Sequence, residues 1–109
     1  MKILLDHCVP KRLRRLFPTH EVRTAYEMGW AGLNNGRLLA EASAAGFSVL
    51  LTVDQNVPYQ QNPAALPLAI IIIVAADNRF ETLAPAATEI EITLSSISSG
   101  QIIRIPKGE

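Results

Sequence analysis

The chain has 109 residues, 49% of them hydrophobic and 18% charged, with ten Lys and Arg against ten Asp and Glu. That length suits one domain spanning residues 1–109, and the apolar share excludes a disordered chain. Zero net charge argues against strong charge-driven binding to nucleic acid or membrane, and the single cysteine, Cys8, excludes a disulfide framework.

Lys2-Ile3-Leu4-Leu5 is a short apolar run closed by Asp6 and predicts a buried strand. It lacks the long apolar stretch of a signal peptide. Pro10 suits the first position of a helix on which Leu13, Leu16 and Phe17 face inward, with Lys11, Arg12, Arg14 and Arg15 on the other side. Pro18 ends that helix, and His20 to Thr24 alternates as a second strand. Gly29 and Gly32 mark a loop. Asn34 or Asn35 caps the next helix, whose apolar face is Leu38, Leu39 and Ala42 and whose stop is Gly46.

Phe47 to Val53 predicts a third strand, closed by Asp54. Residues Gln55 to Pro67, with three prolines and an amide cluster at Gln55, Asn56, Gln60, Gln61 and Asn62, predict a long loop. Leu68 to Val74, with four consecutive isoleucines, suits a central strand covered on both faces and buried through Val74. Phe80 to Ile97 repeats apolar residues at helical spacing, with Pro85 tolerable only in its first turn. Gln101 to Ile105 is the last strand. The longest apolar run, Leu68 to Ala76, is nine residues, about half of a membrane span. A cytoplasmic α/β protein with a mainly parallel sheet is the expectation.

Ligands of such sheets gather at the carboxyl ends of strands, where Asp6 and Asp54 stand. From Leu38 to Ala76 the only charges are Glu41 and Asp54, and a carboxylate in so apolar a stretch needs a partner, an element end or a cation. Two such aspartates can hold Mg²⁺ or Mn²⁺, but each has a plainer role: Asp6 as a cap of loop amides, Asp54 as an Asx-turn. His7 and His20 lack a zinc spacing, and Cys8 suits a small buried side chain. The basic stripe suits a solvated face, and Trp30 either stacks a base or packs over its loop. The amide cluster lines a polar site or solvates a loop.

Three blocks together resemble small prokaryotic PIN-like domain proteins: Ile3 to Pro10 followed by the basic helix, Gly29 to Gly36 with Leu38-Leu39, and Leu50 to Asn56. Tyr59 to Asn62 resembles a feature of one subgroup. The resemblance implies a three-layer PIN-like α/β sandwich related to metal-dependent ribonucleases and to toxins of toxin–antitoxin pairs. It implies Asp6 and Asp54 as ligands of Mg²⁺ or Mn²⁺, with Asn35 and Asn56 standing where many relatives carry aspartate. Expected partners are an RNA substrate, an antitoxin protein and further copies of the chain, with no membrane. The competing expectation is a non-catalytic module of the same fold that binds a partner protein. Glu27 and Glu41 are further carboxylates whose positions the sequence leaves open.

Overall fold

Every strand of the sheet runs parallel to its neighbours, so every connection must cross from one end of the sheet to the other. The computed structural model describes residues 1–54 and 67–106. The predicted loop from Gln55 and its amide cluster, including Asn56, lie outside the described residues. The strands are β1 (Lys2–Leu5), β2 (Glu21–Thr24), β3 (Val49–Thr52), β4 (Ala69–Ile73) and β5 (Ile102–Ile105), in the order β2-β1-β3-β4-β5. The register aligns Leu4 with Arg23 on one side and Leu50 on the other, and Ile71 with Leu51 and Ile103.

Strand periodicity sends alternate residues to opposite faces, and two core clusters result. Ile3, Leu5, Val49, Leu51, Ile71 and Ile73 join Leu13, Leu83, Ile90 and Leu94 on one face. Leu4, Leu50, Ile70 and Ile72 join Leu38, Leu39, Ala42 and Phe47 on the other. A near-continuous apolar strand is therefore what this position demands. The four-isoleucine strand is interior, between β3 and β5, but β3 takes the middle place. Burial ends at Ile73, and Val74 is 37% exposed, one residue earlier than its hydrophobicity suggests.

The helices fall where expected with altered forms. The first is a 3₁₀ helix, Lys11–Leu16, with Pro10 just before it. Its three-residue repeat aligns Leu13 with Leu16, which suits a segment whose only inward side chains have that spacing. Helix α1 (Asn35–Ala44) is capped by Asn34, whose side chain accepts the Arg37 N–H at 2.8 Å. At its far end the Lys2 ammonium donates to the Ala45 carbonyl at 2.7 Å and lies over the Phe47 ring. The single helix predicted from Phe80 to Ile97 is instead α2 (Phe80–Leu83), a 3₁₀ turn (Ala84–Ala86) and α3 (Ala87–Leu94). Pro85 has no N–H and its ring collides with the carbonyl four residues back, so the ladder tightens there. Among the described residues, no helix is long and apolar enough to cross a membrane.

Candidate functional site

The order β2-β1-β3 means that the chain leaves β1 on one side and later returns to pair on the other. In open parallel sheets ligands gather at such a reversal, outside the carboxyl ends of the two strands. Asp6 directly follows β1 and Asp54 lies two residues beyond β3, so both flank this point.

Asp6 is only 2% exposed, and a buried carboxylate needs donors. Its Oδ1 accepts the His7 backbone N–H at 2.8 Å and lies 3.0 Å from His7 Nδ1. Its Oδ2 accepts the Thr52 hydroxyl at 2.8 Å. An ionised carboxylate only accepts, so His7 turns its Nδ1–H to Asp6, while the ring as a whole is 63% exposed. Thr52 is fully buried at the end of β3, and its Oγ1 also accepts the Asp54 backbone N–H at 3.0 Å. The hydroxyl proton is committed to Asp6, so the Cys8 thiol, 3.6 Å from Thr52 Oγ1, donates to that oxygen. Thr52 thus joins the ends of β1 and β3 through one hydroxyl. The plain role of Asp6, bonding a loop amide, is present alongside its place at the strand end.

A cleft of about 390 Å³ opens beside Asp6, lined also by His7, Val9, Pro10, Lys11, Thr24, Tyr26 and Glu27. Thr24 and Glu27 close its far wall by a reciprocal pair: the Glu27 N–H donates to Thr24 Oγ1, and the Thr24 N–H to Glu27 Oε1, both at 3.0 Å. Arg14 Nη1 donates to both Glu27 oxygens, at 3.0 and 3.1 Å, and Lys11 Nζ lies 3.6 Å from Oε2. The Thr24 backbone N–H is the largest influence and lowers the Glu27 carboxyl; burial opposes it, and Arg14 and then Lys11 add to the lowering, so the carboxyl is held below its usual value.

The remaining sequence candidates are distributed as follows. Asn35 is the half-buried first residue of α1, beside the capping Asn34, and is not among the residues lining the cleft. Asn56 lies outside the described residues. Glu41 pairs with Arg37 along α1 at 3.4 Å. Trp30 packs edge-on against Phe47, with ring centres 5.9 Å apart, and takes its packing role. His20 ties β2 to α3 through a 2.7 Å contact with Glu91. The basic stripe is divided: Arg14 serves Glu27 and Arg12 lies over the Phe80 ring. Sequence reasoning missed Thr52, Tyr26 and the position of Glu27. The Thr-x-x-Glu spacing from Thr24 to Glu27 was a readable signal for the last.

Comparison of the chain with protein-family models, curated proteins and solved structures gives no match.

A divalent cation can be tested against these groups. Two of the roughly four acceptor positions of Asp6 are taken by His7 and one by Thr52, which leaves one on Oδ2. Mg²⁺ commonly takes one or two carboxylates and keeps several waters, and Asp54 is not among the described residues that line the cleft beside Asp6. Among the described residues there is no group of three or more His, Cys, Asp or Glu arranged to hold a metal.

Proposed function

We propose that the chain is a PIN-like, divalent-metal-dependent ribonuclease acting as the toxin of a toxin–antitoxin pair. The observation that carries this reading is the Asp54 N–H to Thr52 to Asp6 sequence of hydrogen bonds at the reversal of the sheet. It fixes one acidic group against the end of the strand that carries the other. Asp6 and Asp54 would hold Mg²⁺ or Mn²⁺, with Asn35 and Asn56 as auxiliary, neutral groups. When bound, such a cation activates water and neutralises charge on a phosphodiester. Thr52 orients Asp6 Oδ2, and Lys11 supplies a cation at the cleft beside it.

The purified protein should hydrolyse RNA only with added Mg²⁺ or Mn²⁺, and EDTA should stop it. Asp6→Asn and Asp54→Asn should each remove most of the turnover. A rate indifferent to EDTA, or to both substitutions, would overturn the assignment.

The thin donor set favours a second reading, a non-catalytic PIN-like module that binds a partner protein. Glu27, the other carboxylate at the cleft, is engaged by Arg14 and is poorly available to a metal. Wild type and an Asn35→Asp, Asn56→Asp variant both inert on varied RNAs with Mn²⁺ would overturn the ribonuclease and favour this alternative.

A further inference from the structure

We propose that β2 is the contact edge between two copies of this chain, paired antiparallel about a two-fold axis at Val22, so that the two five-stranded sheets become continuous. This contact does not depend on the ribonuclease reading.

β2 is an outermost strand, and its outer side is set by its pairing with β1. The Glu21 N–H donates to the Met1 carbonyl at 3.0 Å, and the Ala25 N–H to the Leu5 carbonyl at 2.9 Å. Alternation along the strand therefore turns the backbone groups of Glu21, Arg23 and Ala25 towards β1 and those of Val22 and Thr24 outward. Thr24 already has partners for both of its groups: Glu27 Oε1 accepts its N–H at 3.0 Å, and its carbonyl accepts the Met28 N–H at 3.2 Å. Just before the strand, the His20 N–H is taken by the Phe17 carbonyl at 3.1 Å. Among the described residues, nothing meets the N–H or the carbonyl of Val22. An unpaired edge is a template for another strand. Two residues set opposite each other in an antiparallel pair exchange both bonds, so Val22 and the Val22 of a second copy satisfy each other.

The occupant is a second copy because the flanking charges are self-complementary. Glu21 and Arg23 stand on either side of Val22 and share one face, with side chains 54% and 53% exposed and a 3.6 Å contact between them. Two-fold pairing at Val22 sets Glu21 opposite the second copy's Arg23, and Arg23 opposite its Glu21. Within β2 no other two-fold fits. One at Glu21 or at Arg23 puts like charges directly opposite. One at Thr24 meets backbone groups already bonded. Antiparallel strands point their carboxyl ends apart. The two clefts, which Thr24 and Glu27 line at the end of β2, therefore open at opposite ends of the joined sheet. A pair of four-residue strands is a contact below the standard size, so association is weak and concentration-dependent.

The test is sedimentation velocity of the full chain over roughly 10 µM to 1 mM, the range suited to a contact of this size, with the charges of the pair reversed. Wild type should pass from monomer to dimer as concentration rises. Glu21→Arg and Arg23→Glu should each weaken dimerisation by about tenfold, because both opposite-charge pairs become like-charge pairs. Combining the two substitutions in one chain should restore dimerisation, and so should an equimolar mixture of the two single variants. Both side chains are more than half exposed, so the variants should melt with wild type. Hydrogen exchange at the Val22 amide, followed by NMR, should slow as concentration rises. The proposal is overturned if wild type stays monomeric throughout or if either single variant dimerises as wild type does. It is equally overturned if the doubly substituted chain fails to recover, or if dimerisation leaves exchange at Val22 unchanged.

Discussion

Glu27 is the residue at which the cleft's electrostatics can be read by titration. Its carboxyl is held low by the Thr24 N–H, then by Arg14 and Lys11. A lowered value means that the folded state favours the ionised form. That stabilisation is fully present above the ordinary value of 4.5 and is lost as pH falls through the lower folded value. Glu27→Gln keeps a carbonyl for the Thr24 N–H but removes the charge. Its melting temperature should therefore lie below wild type at neutral pH, with the gap closing as pH falls through the lowered folded value. A gap that does not change with pH would exclude the charge as the cause. Asp6 and Asp54 were legible in the sequence because an aspartate closing an apolar run marks a strand end. Their connection was not, since Thr52 and Asp6 are 46 residues apart and meet only through the register of β1 on β3. Trp30 drew attention by its size beside two glycines, whereas the exposed ring is Tyr26, and exposure leaves no mark in a single sequence.

At the scale of elements, α1 is bounded by three local devices: the Asn34 cap, the Lys2 ammonium at Ala45, and Gly46 with φ of +90°. Only the last demands a particular residue. No atom crowds the position a Cβ would take at Gly46, so a substitution there meets backbone strain alone. Gly46→Ala should cost about 1–2 kcal/mol, the penalty of left-handed backbone for a residue with a Cβ, measured by urea unfolding. An unchanged midpoint would mean that the turn after α1 relaxes freely. Strand positions were legible throughout, because buried parallel strands are apolar runs bounded by polar residues. Helix form was less so. The spacing from Phe80 to Ile97 is helical on average, but the backbone consequence of Pro85 divides it. The segment Lys11–Leu16 is too short for apolar periodicity to separate a 3₁₀ helix from an α-helix.

At the scale of the molecule, the sheet separates two cores that share its strands. Ile71 belongs to one and Ile72 to the other, both fully buried. Ile71→Ala should destabilise the fold by about 2–5 kcal/mol, the usual range for truncating a buried isoleucine. Ile92→Ser, on the exposed side of α3, should lie within about 0.5 kcal/mol of wild type. Denaturant midpoints for the two variants that failed to separate would contradict the assigned burial. The parallel α/β class was legible from the alternation of strand and helix patterns. Which strand takes the middle was not, because hydrophobicity reports burial and is silent on pairing order, and β3 and β4 are both buried along their whole length.

The strand order also divides the chain by the kind of constraint it bears. Among the described residues, all those lining the cleft, together with Thr52, Asp6 and Asp54, lie within the first 54 positions. The described residues from 67 onward supply β4, β5, α2 and α3, whose buried members are aliphatic. The second half therefore answers to volume and can exchange one branched side chain for another while the filled space is kept. The first half answers to chemical identity: a valine in place of Thr52 would match its shape but offer Asp6 no proton. Under drift, the two halves of this small sheet would diverge at different rates, with the boundary falling just after β3.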